Sequence, residues 1–589
     1  EVIVSNASSI SFTKLTGTFI LNESLSISAV TAAQLTSLPS ESGEETGLAN
    51  ATAKALTANV YRNNIQAIPG SGDVLGVCVY LGTVYAFRNN TGGTACDIYK
   101  SSAAGWVNVP LYKEISFTAG TDIINDGDTI TQLNSGATAL VKRVALSSGT
   151  YEGNNAAGRL IITNVTGTFT SNVADKIQVS GVTKANPDSL VTQISILPDG
   201  RYDFELYNFY GTTATYRVYG CDNVNPAFEF DGDVYAPIRT GMVNDSPKHI
   251  KAHKKMLFLS FDASLQNSGV GTPYEWVVLS GASEIAIGED ITGLLQKAGE
   301  VLVIYTQNST WQLSGSSIAD FALDALSPDT GARDYTTNNL RDAYGFDDRG
   351  IVKITATQAF GNFTSDTVSR DIQKLVDTNR DKVIASAVYK ARDQIRYYAR
   401  DGSGLIQTVV QTDQGAGNFF TTFKYPVNVT CVFTGENTVG EEVIFFGSDT
   451  GMVYQADKGS SFDGEAIEAI LRLTYDHFNS PEVLKTYRKA IVEMVAEEYS
   501  SVRMHPEFDY SDPNVSTHLL IDGQGLGGSW DIDTWDQFYY DSKVVASVSL
   551  PIFGTGSNIS YMFFSDTDID LGHTLHGVIT HYTKRRLIR

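Results

Sequence analysis

The sequence is poor in cysteine, methionine, proline and positive charge. Its 589 residues include four cysteines, six methionines and 15 prolines, and its 43 Lys and Arg are outnumbered by 66 Asp and Glu, for a net charge of −23. So acidic a chain lacks the clustered cations that release counterions from a nucleic-acid backbone, which argues against non-specific DNA or RNA binding. It repels polyanions instead. None of Cys78, Cys96, Cys221 and Cys431 sits in a C-x-x-C pair. They read as four buried thiols in a reducing compartment, with a Cys78–Cys96 disulfide across a hairpin as the alternative. No apolar run approaches the roughly 18 residues of a membrane span, so none is expected. The chain starts at Glu1 and not Met, which implies that an upstream piece is missing or was removed. No basic region followed by an apolar core opens it, so no signal peptide is readable. G-x-S-x-G, Walker and H-E-x-x-H motifs are missing too, and carboxylates are too frequent to nominate a glycosidase pair. The expectation is a non-enzyme without cofactor or metal.

Aromatic residues and glycine are abundant. With 52 Gly, 29 Tyr and 28 Phe, and a globular share of apolar residues, the composition is that of an all-β protein. At about 150 residues per domain the length suggests three or four units. Residues 1–60 read as an N-terminal arm, rich in Ser, Thr and Ala, with the acidic run Glu41-Ser-Gly-Glu-Glu45 and a short helix near Ala51–Leu56. From Val74 the pattern becomes strands of four to six residues separated by turn signals. Val74–Tyr80 and Thr83–Phe87 form a hairpin around Leu81-Gly82. Similar units recur at Ile250–Ser260, Ile291–Leu313, Arg349–Gly361, Val383–Val410 and Val429–Tyr454. Later copies start about 35 to 50 residues apart, the period of a propeller blade.

The expected fold is therefore all-β: a β-propeller over 61–112 and 198–463, an inserted small β-domain over 113–197, and a C-terminal β-sandwich-like domain over 464–589. The insert, with its short β-branched strands and Gly turns, is expected to interrupt the first blade, and the propeller resumes at Tyr202–Phe209. Alternation in Ala466–Leu473 and Ala490–Ala496, with the apolar runs Lys543–Leu550, Ile559–Phe564 and Gly577–Tyr582, carries the sandwich.

Several clusters admit a chemical reading beside a plain one. Asp122, Asp126 and Asp128 surround a Gly turn but lack the full ligand set of a calcium loop, so a solvated turn is expected. His573, His576 and His581 have no zinc-like spacing. His249 and His253, interleaved with Lys251, Lys254 and Lys255, read as a solvated blade edge, or as a phosphate-facing stretch. Two surfaces are candidates for partner docking: Trp530, Asp531, Asp533, Trp535 and Asp536, an acidic-aromatic run, and Lys584, Arg585, Arg586 and Arg589, a basic tail on an acidic chain. Their opposite charge would steer partners into register.

Several segments resemble the tail nozzle (tail tubular) proteins of short-tailed bacteriophages. They are Val77–Val107 with Tyr85-Ala-Phe-Arg88 and Gly105-Trp106; Leu206–Gly211; Phe228–Gly232; Pro247–Phe258; Ile287–Gly293 leading to Trp311–Gly315; and Gly350–Gly361 followed by Val368–Ile372. The resemblance covers roughly 65–475, and the C-terminal domain more weakly. It implies a structural virion protein, assembled in the host cytoplasm and located in the tail. It implies a homo-oligomeric ring, six-fold in that family, docked below the portal adaptor and contacting a tail fibre or plug. Viral DNA would pass through the channel without specific binding. The alternative is a glycan-binding or glycan-degrading propeller acting on a cell surface, which would need carboxylates converging on the central funnel.

Overall fold

Period-two alternation between glycine-rich turns folds almost all of the described chain into antiparallel strands, and the single α-helix among the described residues is Gln373–Asn379. The computed structural model describes residues 62, 65–297, 301–356, 363–412, 415–496, 499–510, 519–524, 546–567 and 572–587, with short stretches between residues 2 and 34. The chain divides into two units, Gln66–Ala456 and Glu1–Ile65 with Asp457–Arg589. The short helix expected near Ala51–Leu56 lies outside the described residues.

In the first unit, six four-stranded meanders and one of three strands follow one another. Their first strands are Ser71–Tyr80, Asp203–Tyr207, Ile250–His253, Ile291–Lys297, Asn338–Leu340, Val383–Tyr389 and Val429–Glu436, here blades I to VII. From blade II onward each first strand lies against the next, and that of blade VII lies against that of blade I. Blade I meets blade II where Gly76 backs onto Tyr202 and Phe204. The circuit is closed, which is the arrangement of a seven-bladed β-propeller. Thr430 Oγ1 seals the joint of VII to I by donating to the Val74 carbonyl at 2.7 Å. The hairpin of blade I turns through Leu81 and Gly82, both at positive φ (49° and 75°), as a two-residue turn between twisted strands requires. Aromatic rings fill the gap between blades I and II, with Phe87 and Tyr202 centroids 4.2 Å apart. All four cysteines are buried free thiols.

Two features differ from the expectation. Blade II, Asp203–Pro237, is a full meander, which makes seven units where the strand pattern marks six; two of its strands are only three residues long. The small β-domain does not interrupt blade I, whose fourth strand, Gly105–Val109, precedes it. It stands between blades I and II. Its strands Lys113–Gly120, Thr129–Gln132, Thr138–Ser148, Ala156–Thr166, Ile177–Val179 and Val182–Pro187 close on themselves, because Ala156–Thr166 pairs with Lys113–Gly120. The result is a six-stranded barrel around Ile115, Phe117, Ile130, Val141, Leu160 and Ile162. Thr192–Gln193 returns beside the first strand.

Buried charge clamps this barrel to blade II. Glu229 is 1% exposed; its Oε1 lies 3.2 Å from Arg217 Nη1 and 3.5 Å from Arg143 Nε of the barrel. Tyr219 Oη donates to Glu229 Oε2 at 2.8 Å. Arg143 also binds Asp126 at 3.1 Å and contacts Asp231. Burial pushes the Glu229 carboxyl up, opposed by Arg217 and Arg143. In a second clamp Arg159 binds Glu114 at 3.0 Å and donates to the Pro237 carbonyl at 2.7 Å.

The second unit carries a β-sandwich. One sheet has the order Ile467–Arg472, Ile559–Thr567, Tyr499–Phe508, Leu519–Gln524, and the other Ala546–Gly556, Val483–Ala496, His573–Leu587. Tyr487, Val492, Met494, Met504, Ile552 and Phe563 share the core between them.

Removing one partner of a buried pair strands the other charge. Arg217 still pairs Glu229 when Arg143 is lost, so Arg143→Met is expected to destabilise the propeller unit by about 1–3 kcal/mol, and Arg143→Met with Arg217→Met, which strands Glu229, by clearly more. Chemical denaturation of the two variants measures the difference; equal losses would remove the clamp from the account.

Candidate functional site

The first strands of the blades face the propeller axis, and there the chain gathers charge. A cavity of about 190 Å³ is lined by Arg201, Asp203, Glu205, His249, Lys251 and Tyr335, among others. Asp203 and Glu205 stand two residues apart on the first strand of blade II, and His249 and Lys251 two apart at the start of blade III. Period-two spacing puts each pair on one face of its strand.

These groups bind one another. His249, 2% exposed, has Nδ1 3.2 Å from Asp203 Oδ2 and Nε2 3.4 Å from Asp334 Oδ1. Lys248 Nζ reaches the same Asp334 oxygen at 2.6 Å. Lys251 Nζ donates to Glu205 Oε2 at 2.7 Å. The Arg201 guanidinium stacks 3.8 Å from the Tyr335 ring centroid and donates to the Ile384 carbonyl. Tyr335 stands at φ 60°, a left-handed conformation that costs a bulky residue on the order of 1–2 kcal/mol. Burial works against charge on His249, but its hydrogen bonds to Asp203 and Asp334 outweigh it and hold the imidazole pKa above the ordinary value. Asp334 is likewise opposed by burial, yet held below the usual carboxylate range by His249 and Lys248. Burial raises the Glu205 carboxyl despite Lys251.

Chemically the arrangement is a latch. Both ring nitrogens of His249 face carboxylate oxygens, and a nitrogen that donates its proton to a carboxylate has no lone pair left to act as a base. The network ties blade II to blade III, to the segment that leads into blade V, and to the first strand of blade VI. A larger cavity, about 250 Å³ beneath the Gln373–Asn379 helix, is lined mainly by apolar groups such as Phe346, Leu375, Val376 and Leu405. Among the described residues no group of three or more His, Cys, Asp and Glu is placed to hold a metal ion. Asp128 is engaged within the turn by the Asn125 amide, and Asp126 and Asp122 by groups from neighbouring strands, Asp126 by Arg143 and the Val144 amide and Asp122 by Lys184.

One expectation is corrected here. His249 and His253 do not mark a solvated blade edge; both are 2% exposed, because Ile250–His253 is the innermost strand of its blade. The converging carboxylates Asp203, Glu205 and Asp334 were not singled out from the sequence. Their signal was Asp203 and Glu205 at period two in an aromatic strand, matched by His249 and Lys251 ahead.

Of the docking candidates, Trp530, Asp531, Asp533, Trp535, Asp536 and Arg589 lie outside the described residues. Lys584, Arg585 and Arg586 are exposed, and they are not a loose tail: they belong to the strand His573–Leu587, paired with Val483–Ala496.

No family profile matches the chain, and no curated protein sequence matches it. Two solved structures show a distant likeness. One is the computationally designed protein Ika8, at 10% identity and TM-score 0.29, covering 67% of this chain and 98% of its own. The other is virginiamycin B lyase from Staphylococcus aureus, at 10% identity and TM-score 0.31, covering 58% of this chain and 98% of its own.

The latch sets a pH dependence. A pKa raised on folding gives stability that is full below the unfolded value and is lost as pH rises through the folded one; a lowered one gives stability that is lost as pH falls through the folded value. His249 therefore stabilises the mildly acidic range and weakens on alkalinisation, while Asp334 fails at acid pH. His249→Gln is expected to lower the melting temperature by a few °C near about pH 6 and progressively less toward about pH 9. Thermal melts of both proteins across that range measure it; a difference independent of pH would contradict the charged latch.

Proposed function

We propose that this chain is a structural subunit of the tail nozzle of a short-tailed bacteriophage. Copies form a closed homo-oligomeric ring, six-fold as in that family, which docks below the portal adaptor, contacts a tail fibre or plug, and forms the distal part of the DNA-ejection conduit. The observation that carries this reading is the axial latch. Where a propeller enzyme presents reactive groups to a substrate, these charges neutralise one another across blades II and III and the segment that leads into blade V, which suits a rigid building block. The segments that resemble nozzle proteins fall in successive blades: Val77–Val107 in I, Leu206–Gly211 and Phe228–Gly232 in II, Pro247–Phe258 in III, Trp311–Gly315 in IV and Gly350–Ala356, the described part of Gly350–Gly361, in V. The net charge of −23 fits a conduit that passes a polyanion without retaining it, because like charge keeps DNA from sticking to the wall. Such a ring also needs two different faces on each copy.

Negative-stain microscopy of the chain assembled with its portal and adaptor rings tests the reading. Rings stacked coaxially on the adaptor are expected, with no turnover of host-surface polysaccharide. Unstacked single copies that depolymerise such a polysaccharide, with activity lost in Asp203→Asn, would replace the nozzle with a glycan-degrading propeller.

A further inference from the structure

Among the described residues the C-terminal sandwich has four strands in one sheet and three in the other. The strand His573–Leu587 packs over Ile559–Thr567, as the 2.7 Å contact of Tyr561 Oη with Thr580 Oγ1 shows. The four-stranded sheet extends one strand further, through Ile467–Arg472, and among the described residues nothing lies opposite that strand in the three-stranded sheet. Register defines the face left open. Leu471 lies opposite Phe563, Ala469 opposite Ser565 and Ile467 opposite Thr567, and the Leu473 amide donates to the Tyr561 carbonyl. Residues directly opposite in an antiparallel pair share a face. The inward row is thus Ile467, Ala469, Leu471 and Leu473, all apolar. Phe563 on that face is 3% exposed, whereas Leu471 is 46% and Leu473 37% exposed. Beside this row, among the described residues, the outer edge of His573–Leu587 pairs with no strand, and the end of that strand presents Lys584, Arg585 and Arg586 to solvent.

We infer that this slot accepts an extended segment of a second copy of this chain, which adds to the edge of His573–Leu587 and covers the Leu471 row. A free edge offers main-chain hydrogen bonds, an apolar floor takes alternate side chains, and both are the recognition elements of strand addition. Charge complementarity assigns the occupant. Lys584, Arg585 and Arg586 form a basic run on a chain of net charge −23, so a second copy, repelled elsewhere, is attracted here. On an edge strand such cations also discourage pairing with like-charged or neutral edges, which narrows the partner to an acidic segment. This deepens the ring reading and rests on it for the choice of occupant; the slot would be the acceptor face of each copy.

Sedimentation velocity of the purified full chain over a concentration series tests the inference, with Leu471→Asp and the triple variant K584E/R585E/R586E alongside. Leu471 is half-exposed in the single copy, so Leu471→Asp should leave the melting curve in place, which confirms the fold. Reversible self-association is expected, weakened by added salt and about ten- to a hundredfold weaker in Leu471→Asp, the equivalent of losing one Leu side chain from an apolar contact. A wild-type chain that stays monomeric throughout would overturn the inference. So would association lost in the charge variant but untouched by Leu471→Asp, which would leave an electrostatic contact without strand docking. Rings stacked on the adaptor together with an inert Leu471→Asp would sink the slot and leave the nozzle reading standing; Leu471-dependent association without stacked rings would do the reverse.

Discussion

A closed circuit of blades brings seven first strands to one axis, and any charge on those strands has to be neutralised there. This constraint governs the propeller. His249 is fully buried there and Glu205 nearly so, and each has an oppositely charged neighbour, Asp203 and Asp334 for His249 and Lys251 for Glu205. Their pairing runs across blade boundaries, between elements distant in sequence, and so joins parts of the ring that share no hydrogen-bonded sheet. Apolar side chains pack between blades, Phe87, Tyr202, Phe204 and Phe228 where blade I meets blade II and Phe346 with Tyr397 between V and VI. The ion pairs add direction, since a rotated or slipped blade would leave a charge without its partner.

The same rule appears at the joint between barrel and blade II. Two arginines of the barrel, Arg143 and Arg159, reach carboxylates and a carbonyl that a freely moving domain would leave in water. Both joints cost desolvation and return specificity of placement.

Much of the fold class was legible in the sequence. Hairpins with clear apolar alternation, such as Ile250–His253 with Met256–Phe261, or Ile291–Lys297 with Val301–Thr306, stand out because their inner faces are continuous and their turns carry Gly, Lys or Asp. Blade II was harder: its third and fourth strands, Phe228–Phe230 and Tyr235–Pro237, are too short for a period to register. The fourth strand of blade I, Gly105–Val109, is largely exposed, so the barrel seemed to interrupt that blade. The axial network was hidden for another reason. Burial of His249 follows from which strand is innermost, a property of the closed ring and not of the local segment. The basic run Lys584-Arg585-Arg586 reads as a tail by composition, and only its pairing with Val483–Ala496 shows that it ends a strand.

The central claim is that the axial charges are a lock, with both ring nitrogens of His249 held between Asp203 and Asp334 and its pKa raised by them. Nitrogen-15 chemical shifts of the His249 ring, followed through a pH titration of the intact chain, test this most directly. Two protonated ring nitrogens at neutral pH, titrating together above the ordinary histidine range, are the expected result. A neutral ring with an unprotonated nitrogen facing the cavity at neutral pH would contradict the lock and return the axis to consideration as a reactive site.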